Sequence, residues 1–248
     1  MTRGKNPGFL SGIEVEQENG YDEVEMKKSL LKDALIKYVS GVILVGSLLF
    51  LSAGTLKWEN GWLFMALLFI PMFLAGIVMY LKAPDLLESR LNAKEKQSEQ
   101  KEVIGLSGLM FLAAFITTGL NYRFHWLTLP KTVTVLASIL FLISYLLFAE
   151  VLKENSYLSR TIEVKEDQKV VDTGLYAIVR HPMYFATVFL FLSMPLILGS
   201  PISFVIMLGY IPIIVKRIRN EEEVLAKELK GYEEYRKKVR YRLIPFIW

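Results

Sequence analysis

Residues 182–215 read PMYFATVFLFLSMPLILGSPISFVIMLGYIPIIV, with no Asp, Glu, Lys or Arg among them. Two apolar segments, 182–198 and 201–215, are separated only by Gly199-Ser200. Such spacing makes them a tight antiparallel hairpin. Pro195 stands near the end of the first segment and Pro212 inside the second. The second segment is short as an apolar run. It continues as a helix through residues 216–230, leaving the membrane on the way.

Four more apolar segments precede the hairpin, at about 34–54, 61–81, 103–120 and 132–152. Each approaches or exceeds the roughly 18 to 20 residues that cross a bilayer core. Pro71, near the middle of the second, predicts a kink. Over the whole chain 53% of the 248 residues are hydrophobic. The fold class is therefore an all-α integral membrane protein of about six transmembrane helices. Residues 1–25 show no apolar periodicity and read as a mobile tail, with a helix beginning between Lys27 and Lys37. We divide the chain into a polar tail (1–33), N-terminal membrane helices (34–130) and a C-terminal core with cytoplasmic helices (131–248).

Charge orients the spans. With the N-terminus inside, the outer loops hold Lys57, Arg123 and Lys131, and the other 26 of the 29 basic residues lie on the inner side. Positive residues favour the cytoplasm, so both termini are cytoplasmic. The basic residues thus read as topology determinants and anionic-lipid contacts. No recognition motif accompanies them, which excludes a nucleic-acid partner. The chain has no Cys, and His125 and His181 are far apart, so neither disulfide, thiol nor metal chemistry is supported. The spans carry almost no ionisable residue along the midplane, against a transporter of polar solutes. They do not reveal an oligomeric state.

The inner loops differ. Residues 82–102, with Asp85, Glu88, Arg90, Lys94, Glu95 and Lys96, read as a solvated, partly helical connector. The alternation Thr161-Ile162-Glu163-Val164-Lys165, followed by Lys169-Val170-Val171-Asp172-Thr173-Gly174, reads as short extended structure ending in a turn. It leads into Gly174-Leu175-Tyr176-Ala177-Ile178-Val179-Arg180-His181-Pro182-Met183-Tyr184. A residue before proline avoids the helical region, and proline suits a first helical position. The next helix therefore starts at Pro182. Its first turn offers free N–H groups as an anion seat, Arg180 adds a bidentate donor, Tyr184 shares the seat, and Gly174 permits close approach of a ligand. Taken singly, Arg180 reads equally well as a topology anchor, Tyr176 and Tyr184 as interfacial tyrosines, and His181 as a turn residue. Their gathering in one run, beside a Gly-led turn, weakens that bland reading.

Downstream, Arg217-Ile218-Arg219-Asn220-Glu221-Glu222-Glu223 emerges on the same face. Three adjacent carboxylates span a wide arc, so at least one faces the bundle. Arg219 stands (i, i+3) and (i, i+4) from Glu222 and Glu223, as a solvated, ion-paired helix exit would have it. Gly231 is a helix stop, and Tyr232 and Tyr235 share a face of a short basic helix that follows.

The order Asn155…Ser159-Arg160-Thr161, Val171-x-x-Gly174-x-Tyr176-x-x-Val179-Arg180-His181-Pro182-x-Tyr184, Glu221-Glu222-x-x-Leu225, Gly231-Tyr232-x-x-Tyr235 and Arg242-Leu243-Ile244-Pro245 resembles a known family. It is that of the integral-membrane isoprenylcysteine carboxyl methyltransferases and phospholipid N-methyltransferases, in particular their bacterial relatives. The resemblance covers roughly residues 130–248. It implies S-adenosylmethionine as methyl donor, bound on the cytoplasmic side of a bacterial or archaeal cell membrane. By the same resemblance, Val171, Gly174, Tyr176, Val179, Arg180, His181, Pro182, Tyr184, Glu222 and Tyr235 wall the cofactor. Arg180, Glu221 and Glu222 carry the catalytic role. Where related boxes end in Gly, this chain has Ala186, which still permits close packing. No Gly-rich strand–turn–helix signal of a soluble dinucleotide fold is present. The acceptor implied is lipophilic or membrane-accessible, and a carboxylate, thiol or amine all remain open. Sterol reductases that use NADPH look similar around the same box and form the alternative. The Glu221-Glu222 pair is an awkward neighbour for that cofactor's phosphates.

Overall fold

A computed structural model describes residues 7–91, 98–155, 157–158, 164 and 167–248. Nine α-helices carry the described chain: α1 (Pro7–Ala53), α2 (Glu59–Lys82), α3 (Pro84–Leu91), α4 (Ser98–Phe124), α5 (Lys131–Glu154), α6 (Pro182–Ile197), α7 (Pro201–Met207), α8 (Tyr210–Glu228) and α9 (Tyr232–Lys238). A 3₁₀ turn, Gly174–Ala177, precedes α6. Among the described residues there is no strand. Five stretches are long and apolar enough to span a membrane: Glu25–Ala53, Glu59–Lys82, Lys101–Phe124, Lys131–Glu154 and Pro201–Glu228. The all-helical membrane fold is as expected, but the count is five long helices and one shorter one.

The shorter one is α6, at 16 residues, or about 24 Å at 1.5 Å per residue. Its ends are fixed by sequence. Pro182 sits at the first helical position behind His181, whose φ of −127° is non-helical. At the other end Gly199 has a φ of +79°, a left-handed conformation that glycine adopts without cost and that turns the chain into the hairpin. Ser200 then caps α7 by accepting from the Ser203 N–H.

Proline explains one further departure. The expected sixth helix is broken at Leu208-Gly209 into α7 and α8. Pro212 lies four residues beyond Leu208, whose carbonyl its ring would crowd in a continuous helix. Pro71, by contrast, stays inside α2. Proline there removes one intrahelical bond and disturbs its neighbours. Tyr145 donates to Leu68 O (2.8 Å) and Tyr38 to Phe69 O (3.1 Å), so side chains of α5 and α1 serve that turn. At the N-terminal end, α1 starts at Pro7. The expected start near Lys27 is too late, since residues 7–26 continue the helix. Of the connector at 82–102, residues 84–91 form α3, which buries Leu86 and Leu87. Lys94, Glu95 and Lys96 lie outside the described residues, as do most of the expected alternation (161–163 and 165) and Ser159-Arg160-Thr161.

Two apolar clusters hold the bundle. One joins α1, α2, α4, α5 and α6 through Leu49, Phe64, Phe115, Phe141 and Ile197. The other joins α4, α6, α7 and α8 through Met110, Tyr184, Met207, Ile214 and Ile218, with Leu243 from the C-terminal segment. The most extensive helix pairing is α5 with α6. That pairing brings the C-terminal end of α5 beside the N-terminal end of α6, where the candidate site lies.

Candidate functional site

A cleft opens at the N-terminal end of α6. Its walls include Asn155, Lys169, Val171, Tyr176, Arg180, His181, Met183, Tyr184, Arg217, Glu221, Tyr232 and Tyr235. They come from the end of α5, the 168–181 loop, α6, α8 and α9. A third apolar cluster, Leu229, Tyr232, Tyr235 and Val239 packed on Val164 and Val170, closes one side.

Arg180 and Glu222 form the buried centre of the assembly. Arg180 Nε donates to Glu222 Oε1 at 2.7 Å, and its Nη1 donates to the carbonyls of Val239 (2.7 Å) and Arg240 (2.9 Å). Arg242 Nε donates to Glu222 Oε2 at 2.8 Å, and His181 Nε2 lies 3.3 Å from Glu222 Oε1. Backbone bonds run alongside, from Arg180 N to Tyr241 O and from His181 N to Arg242 O, both 2.9 Å. A charge as buried as Glu222, 4% exposed, must be compensated inside the protein. So Arg180, expected to offer a free fork to a ligand, spends two of its nitrogens on the protein. The expected Arg219 pairs are also absent: Arg219 is exposed and Glu222 turns inward to Arg180 and Arg242.

Glu221, one position earlier on α8, faces the cleft instead. Its carboxylate accepts from the Tyr184 hydroxyl, which in turn accepts from Arg217 Nε at 2.9 Å. Arg217 stands four residues before Glu221, hence on the same helix face. The His181 ring stacks on Tyr184 at 5.7 Å. Glu223 is exposed. One helical turn thus places Glu221 in the cleft, Glu222 behind its wall and Glu223 outside.

The remaining wall is aromatic. Tyr235 donates to Tyr176 O at 2.8 Å, and Asn155 Nδ2 donates to the Tyr176 hydroxyl at 3.1 Å. Burial pushes the phenols of Tyr176, Tyr232 and Tyr235 above their ordinary pKa, and for Tyr232 the carboxylates of Glu222 and Glu221 push the same way. They remain neutral donors at physiological pH. The Tyr232 hydroxyl is buried and has no hydrogen-bond partner among the described residues. A buried, unsatisfied hydroxyl is uncommon in a finished structure, and this one belongs to a residue of the cleft wall.

Of the residues expected at the site, Val171, Tyr176, Arg180, His181, Tyr184, Glu221 and Tyr235 line the cleft, while Gly174, Val179, Pro182 and Glu222 do not. Gly174 serves another purpose. Its φ is +49°, and a Cβ there would lie 1.4 Å from Glu154 Oε1. The missing side chain lets the Glu154 carboxylate reach the Leu175 N–H, at 3.0 Å. Pro182 starts α6, and Val179 is buried. Ala186 is fully buried in α6, in keeping with a position that needs a small side chain. Sequence reasoning missed Lys169, Met183, Arg217 and Tyr232 as wall residues. The (i, i+4) spacing of Arg217 to Glu221 and the (i, i+3) spacing of Tyr232 to Tyr235 carried two of them.

Comparison with known proteins bears on this region. A Delta(14)-sterol reductase of Mus musculus is 30% identical over 91 residues, which is 36% of this chain and 22% of the relative. A Delta(14)-sterol reductase of Methylotuvimicrobium alcaliphilum is 29% identical over 93 residues, again 36% and 22%. The chain therefore spans about a fifth of the length of these curated relatives. Residues 133–227, which supply α5, α6, α7 and nearly all of α8, match the model of the isoprenylcysteine carboxyl methyltransferase family, and the resemblance carried by the Arg-His-Pro-x-Tyr box and the Glu-Glu pair is borne out there.

Proposed function

We propose that the chain is a membrane methyltransferase that uses S-adenosylmethionine and acts on a lipophilic or membrane-accessible acceptor, with residues 131–248 as its core. The observation that carries this reading is the composition of the cleft wall: one carboxylate, Glu221, among five tyrosines, with the Tyr232 hydroxyl unpartnered among the described residues. Carboxylate and aromatic faces attract a cation, and the cofactor bears a sulfonium. It supplies an activated methyl group, and the protein supplies position and electrostatics. Glu221 and the tyrosine faces would hold the cationic portion, Lys169 offers an ammonium to a carboxylate, and Tyr232 donates to a polar group. Glu222 acts from behind, by fixing Arg180 and the 239–242 segment. Its role in this reading is positioning. The cleft interior is narrow, about 90 Å³, against roughly 300–1,000 Å³ for ligand sites in general. The reading therefore requires the wall made by α9 and residues 168–171 to yield on binding.

Isothermal titration in lipid nanodiscs tests it. S-adenosylmethionine binds the native chain, and Glu221→Ala weakens binding by an order of magnitude or more. Absence of any heat with the native chain overturns the reading. The sterol reductase relatives favour a second reading, an NADPH-dependent reductase. Thermal shifts with the two cofactors side by side decide between them: Glu221 favours the cation of S-adenosylmethionine, whereas Lys169 and Arg217 on the same wall favour the phosphates of NADPH.

A further inference from the structure

A second pocket lies at the other end of the bundle. It is lined by Lys57, Trp58, Glu59 and Asn60 at the α1–α2 junction, by Asn121, Tyr122, His125 and Thr128 at the α4–α5 junction, and by Leu198 and Gly199 at the hairpin turn. The 24 residues of α5, about 36 Å of helix, separate it from the cleft. Its interior is about 330 Å³, the size of a small ligand.

The pocket is a built one. The Tyr122 hydroxyl donates to Lys57 O at 3.2 Å, which ties the first junction to α4. Asn121, itself buried, donates through Nδ2 to Leu127 O (2.8 Å) and accepts from Leu127 N (3.2 Å), which fixes the second junction. Trp58, 2% exposed, stacks on Tyr122 at 4.9 Å and forms a rigid aromatic base. Gly199 leaves room for the Asn60 amide, which would stand 3.4 Å from a Cβ there. On this frame Lys57, Glu59, Asn60 and Thr128 line the opening, Lys57, Glu59 and Thr128 with exposed side chains, and among the described residues none of the four side chains makes a hydrogen bond or ion pair. Lys57 and Glu59 carry opposite charges two residues apart and do not pair with each other. Around them Leu56, Phe124, Trp126 and Leu127 are exposed, an apolar and aromatic collar of the kind found at a membrane–water boundary.

Two uncommitted charges of opposite sign in one pocket complement a zwitterion, and an apolar collar at a bilayer boundary complements its acyl chains. We propose that this pocket binds the headgroup of a zwitterionic phospholipid. Lys57 meets the phosphate, Glu59 and the Asn60 carbonyl oxygen meet the ammonium, and the collar meets the chains. Glu59 also stands in the first turn of α2, where a carboxylate is favourable without any ligand. The test must separate these two roles.

Thermal unfolding is compared in nanodiscs of dioleoylphosphatidylglycerol alone and of equal parts dioleoylphosphatidylglycerol and dioleoylphosphatidylethanolamine. The native chain should melt about 2–4 °C higher in the mixture, as a ligand bound to the folded state requires. Lys57→Gln with Glu59→Gln should abolish that rise. A native chain without the rise, or a double variant that keeps it, overturns the proposal. O-phosphoethanolamine added at 1 mM to the phosphatidylglycerol discs should give no rise, and a full rise from the free compound overturns the lipid as the source. S-adenosylmethionine titration is run on both chains. The lipid result stands whether or not that cofactor binds, so failure at one end of the bundle is not mistaken for failure at the other.

Discussion

At the scale of the residue, Tyr232 and Glu222 make opposite predictions. The Tyr232 hydroxyl has no hydrogen-bond partner among the described residues and so gains no bond from them. Leaving such a group buried is costly. Tyr232→Phe should therefore unfold at the same temperature as the native chain or slightly above it. If the hydroxyl meets the cofactor, the same change weakens S-adenosylmethionine binding by roughly 2–10-fold, the worth of one hydrogen bond. Unchanged affinity, measured calorimetrically, removes Tyr232 from the site. Glu222 is the reverse case. Glu222→Ala leaves Arg180 and Arg242 without their carboxylate, and breaking a buried pair costs about 3–5 kcal/mol. Chemical unfolding in detergent should show that loss with no cofactor present. A Glu222→Ala chain of native stability that fails to bind cofactor would instead make Glu222 a direct ligand.

At the scale of the element, close helix contact rests on small side chains that the sequence pattern does not advertise. A Cβ on Gly119 would lie 2.8 Å from Leu49 O and 1.8 Å from Ser52 Oγ. The serine can rotate away, but the α1 backbone must move. Gly119→Val should force α1 and α4 apart and destabilise the bundle by about 1–3 kcal/mol, read as a lower midpoint of thermal unfolding. Gly105→Val on the same helix, where nothing lies within 4 Å of a Cβ, is the control and should be close to neutral. Such contacts were illegible in the chain because a scattered glycine shows its purpose only once its partner helix is known. What was legible had a local cause. The start of α6 follows from His181-Pro182, and the hairpin from a two-residue gap between apolar runs. The break between α7 and α8 was there to be read as well, since Pro212 crowds the carbonyl four residues earlier, but hydropathy alone ran the two together. The site was legible in part. Arg180, Tyr184 and Glu221 stood out as polar residues at the end of a span. That Glu222 faces Arg180 and Glu221 faces the cleft depends on the rotation of α8, which three adjacent carboxylates leave undetermined.

At the scale of the whole molecule, the charge asymmetry and the two pockets make one prediction about orientation. The Lys57 and His125 junctions share one end of the bundle with the distal pocket, and α9 shares the other with the cleft. If basic residues hold the cleft end in the cytoplasm, the distal pocket faces away from it. The chain contains no cysteine, so single-cysteine variants can be labelled against a silent background. Thr128→Cys and Leu56→Cys, both exposed at the distal end, should react in intact cells with a maleimide that does not cross membranes. Glu233→Cys and Lys227→Cys, exposed near the cleft, should react only after permeabilisation. The reverse pattern would place the cleft outside, away from any cytoplasmic supply of S-adenosylmethionine. It would then count against the methyltransferase reading as strongly as a failed titration. Reaction of both sets in intact cells would mean that the asymmetry of 26 basic residues against three does not orient the chain, and the basic residues of the cleft end would need another cause.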